Sequence, residues 1–320
     1  MKLILIDGMT GTGKSTTAQR LCLHLRRQGR AARWIYEHDA AHPIWPSGEQ
    51  ARMVEAGVLE ADRVTRMLLQ RWQALATDCA GSSRVTILES SLFQSTIGFL
   101  LAMQVDETLI ATQVMAVAEV IGGLQPALVY LRQGDVAAGL RATFEDRRAD
   151  QYEANLVTLL AATPFGRAHG IADFAGLVHF YDKWRELTDA LFARLAVAKI
   201  AISVGDGDWP SRERQLTEFL GLPNIGSVPL RIERASRYCG RYADAASSDE
   251  IVVAGNELGL YLDDGRRTHL IPACEDRFYV AAIAAEMAFS EEREGRFRRL
   301  ELSSNLPGLS PLWLRTERGG

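Results

Sequence analysis

Residues 8–15 read Gly8-Met9-Thr10-Gly11-Thr12-Gly13-Lys14-Ser15, and with their flanks they restrict the fold more than any other stretch of the chain. Before them Leu3-Ile4-Leu5-Ile6 is an apolar run of strand type; after them residues 16–27 have a helical pattern. The spacing matches G-x-x-x-x-G-K-[ST], and a strand leading in with a helix leading out is the context this phosphate-cradling loop needs. The glycines let the backbone turn tightly and bring its N–H groups up to a phosphate chain. The helix aims its partly positive N-terminus at the same anion. Lys14 is placed to reach the β- and γ-phosphates, and the Ser15 hydroxyl to hold Mg²⁺. Gly8, Gly11, Thr12, Gly13, Lys14, Ser15 and Thr16 are the expected contacts of a nucleoside triphosphate, with ATP and Mg²⁺ as the expected ligands.

Four further apolar runs, 31–36, 84–88, 126–131 and 199–204, alternate with stretches of helical periodicity at 49–78, 90–121, 136–144, 152–162, 174–197 and 210–220. Short buried strands alternating with helices predict an α/β fold: a parallel five-stranded sheet with helices on both faces. Ligands of such sheets bind outside the carboxyl ends of the strands. Lys14, Glu37 and Glu89 each lie just past a strand, so they are expected in one crevice. Residues 221–229 read as a linker. Beyond it the hydrophobic period becomes two, at 251–253, 258–262, 268–271, 277–280 and 285–289, with turn residues at 263–265 and 293–295. The expected domains are therefore 1–222 and a small antiparallel β-barrel-like domain at 230–320.

The net charge of −4 argues against sequence-independent nucleic-acid binding. The four cysteines form no C-x-x-C pair, which points to a reduced cytoplasmic chain without a zinc site. No stretch of about 18 residues lacks a charge, so no membrane span is expected.

Asp7-Gly8 entering the loop, Glu37 after the second strand, Glu89-Ser90-Ser91 after the third and an arginine-rich segment after the fourth resemble the thymidylate kinase and deoxynucleoside kinase superfamily. The resemblance covers roughly residues 1–220 and implies the three-layer P-loop NTPase fold. It implies transfer of the γ-phosphoryl group of ATP to a hydroxyl of a small molecule, either nucleoside-like or another polyhydroxylated metabolite or antibiotic. Glu37 would take the acceptor proton, with Asp39 as the fallback base. Glu89 would orient Mg²⁺ together with Ser15. Arg141, Arg147 and Arg148, in a lid at about 141–150, would close over the phosphates; Arg132 is a lesser candidate. The superfamily carries an arginine directly after the acid, and this chain has Ser90 there. Trp209 would either stack on a base or pack its helix, and the aromatic and methionine positions from Trp45 to Trp72 would mainly be core. His38 and His42 stand four apart on a proline-containing loop, which does not give them the shared face a helix would. Residues 236–302 resemble the lipocalin-like β domain appended to some serine β-lactamase-like enzymes; the unit is expected to be a packing or dimerisation module, the alternative being a cap over the acceptor site. The expected partners are a small-molecule acceptor and, in a homodimer, a second copy of the chain, without nucleic acid or membrane. The alternative is a regulatory P-loop NTPase read out by the β domain.

Overall fold

The structure is a computed structural model that describes residues 1–56, 60–146, 151–205, 208–224, 232–244, 249–256, 259–263, 268–274, 276–281, 283–304 and 311–316. The chain divides into two compact units, Met1–Ile225 and Gly226–Gly320.

In the first unit β1 (Leu3–Gly8), β2 (Ala32–Ile35), β3 (Val85–Glu89), β4 (Ala127–Gln133) and β5 (Ala198–Val204) form one sheet in the order β2-β3-β1-β4-β5. Every pairing is parallel. Successive strand residues point to opposite faces, which is why Leu3-Ile4-Leu5-Ile6 is apolar throughout. Leu3 and Leu5 join a core with Leu68, Trp72 and Trp184, while Ile4 and Ile6 join a second core with Leu21, Leu25 and Leu216. The first face is covered by helices that include α3 (Ala61–Gly81), α5 (Glu107–Ile121) and α9 (Phe174–Arg194). The second is covered by α1 (Lys14–Arg27) and α10 (Trp209–Leu220). The result is the three-layer α/β architecture expected from the alternating pattern.

The stretch expected as one mostly helical segment at 90–121 is divided. A π-helical turn, Ser91–Ile97, continues into the short α4 (Gly98–Ala102) before α5 begins. Gln104 adopts a left-handed φ of 55°, and the Asp106 carboxylate accepts the Thr108 N–H at 2.8 Å to start α5. By length and composition Glu107–Leu124 is apolar enough to cross a membrane. Its Ile110, Val114, Val117 and Ile121, however, are packed in the first core. The remaining helices are α2 (Glu49–Ala56), α6 (Val136–Asp146), α7 (Tyr152–Ala161) and α8 (Pro164–His169). Helix α8 is absent from the periodicity reading, although its start carries a cap: Thr163 Oγ1 accepts the Gly166 N–H at 3.0 Å, with Pro164 in the first turn.

The second unit is a closed eight-stranded antiparallel barrel. Strands β6 (Gly240–Asp244), β7 (Glu250–Asn256), β8 (Gly259–Leu262), β9 (Thr268–Cys274), β10 (Arg277–Val280), β11 (Ala285–Arg293), β12 (Arg296–Ser304) and β13 (Leu312–Arg315) pair in chain order, and β13 returns to β6. Glu294 and Gly295, both at positive φ, turn β11 into β12, at one of the turns the sequence predicts. Three strands, β6, β12 and β13, go beyond the five runs read from the sequence. The barrel is filled rather than hollow: Tyr242, Phe278, Phe289, Leu300 and Trp313 belong to one core cluster.

Arg315 holds the closing seam. Its Nε donates to the Phe297 carbonyl at 2.6 Å, and its Nη2 to the Cys239 carbonyl at 2.7 Å and the Tyr242 hydroxyl at 3.0 Å. The guanidinium also lies 5.2 Å from the centre of the Tyr242 ring. Nη2 also donates to the Arg237 carbonyl at 3.3 Å, so Arg315→Ala leaves three carbonyls and a hydroxyl without this donor. Amide exchange in β6 and β13 should then lose about 2–3 kcal/mol of protection; unchanged protection would show that strand pairing alone closes the barrel.

Candidate functional site

The strand registers explain why the expected residues meet. Ile6 of β1 stands opposite Glu89 of β3, and Leu88 stands opposite Ile35 of β2. The phosphate-loop motif, Glu89 and Glu37 therefore leave three adjacent strands at the same edge of the sheet.

Within the loop all three glycines are required by close approach, and a Cβ at Gly8 would fall 2.5 Å from the Leu131 carbonyl oxygen. Gly11 has φ 77°, and a Cβ there would fall 1.7 Å from Thr143 Oγ1 of α6. Gly13 has φ 86°, and a Cβ there would fall 2.6 Å from the Trp209 ring. Trp209 thus packs against the end of the loop, with the Arg212 guanidinium 5.1 Å from its ring centre. Thr10 Oγ1 and the Tyr152 hydroxyl of α7 are 2.8 Å apart, so α6 and α7 both touch the loop. Lys14 is buried, and its Nζ donates to the Met9 carbonyl at 2.8 Å. Thr12 Oγ1 donates to the same carbonyl at 2.9 Å. Ser15 and Thr16 lie in the first turn of α1.

Glu89 has no exposed surface. Its Oε1 accepts the Ser15 hydroxyl at 3.0 Å and the Glu37 backbone N–H at 3.2 Å, while its Oε2 is buried without a hydrogen-bond partner. Burial, and after it the charge of Glu37, push the Glu89 carboxyl up to about 8 against the opposing pull of the Glu37 N–H, Lys14 and Ser15. The chemistry of the pair suits a hard cation: a serine hydroxyl beside a carboxylate oxygen that lacks a donor. Magnesium usually keeps waters and substrate phosphates as its other ligands, so two protein groups are enough. Among the described residues no group of three or more His, Cys, Asp or Glu forms a separate metal cluster.

Glu37 is partly exposed, with its Oε2 accepting from Gln94 Nε2 at 3.1 Å and its Oε1 3.4 Å from His38 Nε2. The loop that carries it is tied to the π-helical turn by His42, Trp45 and Gln50. His42 Nδ1 accepts the N–H groups of Ile44 and Trp45 at 3.1 and 2.9 Å, leaving Nε2 to donate to Ser91 Oγ at 3.3 Å. Trp45 Nε1 donates to Thr96 Oγ1 at 3.3 Å, and Gln50 Nε2 to the Ser95 carbonyl at 3.1 Å. Burial lowers the His42 pKa to about 4. His42 is thus a neutral structural residue whose Nδ1 is already engaged, and a His38–His42 metal pair has no support. Asp39 Oδ1 accepts the Ala41 N–H at 3.3 Å, inside its own turn. Trp45 and Trp72 are core residues, as expected.

Sequence reasoning missed how Asp7 and Gln94 act. The buried Asp7 carboxylate accepts four backbone N–H groups, from Gly8, Leu92, Phe93 and Gln94, at 2.8 to 3.1 Å. Burial raises its pKa despite these bonds. Asp7 therefore starts the π-helical turn from the end of β1, and that turn aims Gln94 at Glu37. No spacing rule reveals this contact, because it depends on which strands are neighbours. Ser90, where an arginine was expected, has a left-handed φ of 58° and no exposed surface. The enclosure leaves no room for a long cationic side chain.

Arg141 is exposed, with its Cζ 5.0 Å from the Phe174 ring centre. Two helical positions separate it from Thr143, which places it about 200° round the helix from the face that meets the loop. In this arrangement Arg141 lies against Phe174. Arg147 and Arg148 lie outside the described residues. Arg132 is paired with Asp189 at 2.8 Å.

No protein-family model matches this sequence, and no curated protein matches it.

The pKa of Glu89 has a consequence for stability. A carboxyl whose folded pKa lies above its unfolded value binds its proton more tightly in the folded chain. The resulting stabilisation is complete below the ordinary value near 4.5 and is lost as pH rises through about 8. Urea unfolding should show stability falling over this range. Glu89→Gln should reduce that slope and exceed the parent chain in stability at the alkaline end; an unchanged slope would place the titration elsewhere.

Proposed function

We propose that the first unit is an ATP-dependent, Mg²⁺-requiring kinase that phosphorylates a hydroxyl group of a small molecule. The observation that carries this reading is the hydrogen-bonded chain Ser15–Glu89–Glu37 beside the phosphate-loop motif, with Gln94 steadying the far side of Glu37. Donor phosphates would lie along the loop, where Lys14 would leave the Met9 carbonyl for them. Ser15 and the unpartnered Glu89 Oε2 would hold Mg²⁺, which supplies charge neutralisation on the transferring phosphoryl group. Glu37 would accept the acceptor's proton as its oxygen attacks phosphorus. The Gln94 side-chain amide Nε2 donates to the Glu37 carboxylate and orients it for that task. Closure over the phosphates would fall to the arginines of the 141–150 segment, Arg141, Arg147 and Arg148.

The finer reading, membership of the thymidylate and deoxynucleoside kinase superfamily, rests on these residues and on the order of elements around them. The enclosure of Ser90 removes one cationic grip on the acceptor, which favours a hydroxylated acceptor recognised without an arginine at that position.

Purified chain incubated with Mg²⁺-ATP and a pool of hydroxylated metabolites should add one phosphoryl group to at least one of them, detected by mass spectrometry. Glu37→Gln should lower kcat by about 10²- to 10⁴-fold with ATP affinity nearly unchanged. Slow ATP hydrolysis with no phosphorylated acceptor would instead favour a regulatory NTPase, and equal turnover in Glu37→Gln would remove Glu37 from the base role.

A further inference from the structure

In the second unit acidic residues outnumber arginines, and residues 226–320 contain no lysine. Against that background one groove on the barrel reverses the local charge. It has a volume of about 860 Å³ and runs across the closing seam. Arg241, Arg296, Arg298 and Arg315 line it, with Asp263 and Glu294 as its acids. These arginines come from three neighbouring strands, β6, β12 and β13. Since the barrel interior is filled by side chains, the groove belongs to the wall and not to the lumen.

We propose that this groove is a binding site for a small phosphate-bearing metabolite, gripped by the guanidinium groups of Arg241, Arg296, Arg298 and Arg315. The proposal does not rest on the kinase reading of the first unit.

Three observations favour it. Arg315 is already ordered: its Nε and Nη2 are used by the seam, and its guanidinium lies over Gly240, where a Cβ would meet Nη1 at 2.7 Å. A guanidinium held this way has lost its entropy before a ligand arrives, and Nη1, which makes none of the seam bonds, is left for one charge-assisted contact with a phosphate. Arg241 is only loosely committed: it pairs with Glu250 at 3.0 Å with both side chains nearly half exposed. An exposed pair of this kind contributes little, so Arg241 can turn to an anion at small cost. Finally, the volume lies within the range of small-molecule sites, about 300–1,000 Å³. Asp263 and Glu294 would repel an extended polyanion but can accept hydrogen bonds from hydroxyl or amino groups of a compact one.

Cys239 lines the groove and supplies a local reporter. Its thiol donates to the Ala235 carbonyl at 3.3 Å, and burial raises its pKa, so alkylation is best followed at mildly alkaline pH. The experiment measures iodoacetamide labelling of Cys239 in the full chain by peptide mass spectrometry. Inorganic pyrophosphate is the probe, sodium chloride of equal ionic strength the control, and the buried Cys22 and Cys79 report general unfolding. Saturable slowing by at least about threefold, with half-saturation weakened about fivefold or more in Arg296→Ala, is expected for loss of one charge-assisted contact. Arg296 is exposed, so its replacement leaves the fold intact. The proposal is overturned by the absence of slowing, by equal slowing with sodium chloride, or by the same midpoint in Arg296→Ala, which would also expose an indirect effect of pyrophosphate at the phosphate loop. Stronger protection by a single-stranded oligonucleotide than by pyrophosphate would overturn the assignment to a small ligand.

Discussion

Glu89 sits at the end of a strand between two other strands, cut off from water, and three chain segments are arranged around that fact. An isolated carboxylate in such a place is too costly to keep ionised. Here Ser15, on the first turn of α1, and the Glu37 N–H, just past β2, each give one hydrogen bond to the same oxygen. The second oxygen has none. The site is therefore assembled but electrostatically incomplete, and a cation at the free oxygen would relieve both the burial of Glu89 and its repulsion by Glu37. The neutral, protonated form that burial favours is the alternative way of satisfying the same constraint.

Asp7 meets the burial problem by the opposite route. Four backbone N–H groups converge on it and satisfy both oxygens. That arrangement forces the chain after β3 into a left-handed step at Ser90 and a π-helical turn, and the turn delivers Gln94 to Glu37. One buried acid thus builds the scaffold, and the other is left with unused capacity. The pair illustrates how environment, not residue type, separates a structural carboxylate from one available to a ligand.

The barrel shows the same division of labour between filling and function. Among the described residues its interior holds aromatic and aliphatic packing, and the arginine-lined groove lies on the wall. Gly240 matters there because its missing side chain makes room for Arg315, which both holds the seam and faces the groove.

Much of this protein was legible in the amino-acid order. Continuous apolar runs set between helical periods specify a parallel sheet covered on both faces, and a change of period to two specifies a separate antiparallel unit. The G-x-x-x-x-G-K-S motif, Glu37 and Glu89 could be located because each follows a strand, a relation local in the chain. Strands β12 and β13 were less legible: Arg296-Phe297-Arg298-Arg299 interrupts clean alternation with a doubled charge, and Leu312–Arg315 is only four residues long. What the order alone could not decide is everything that depends on lateral neighbours. Only the tertiary structure placed β3 beside β1, turned Arg141 toward Phe174, enclosed Ser90, joined Asp7 to the π-helical turn and closed β13 onto β6. The physical reason is that hydrophobic pattern records which face of an element is buried, whereas strand order, register and side-chain convergence are set by contacts between residues far apart in the chain.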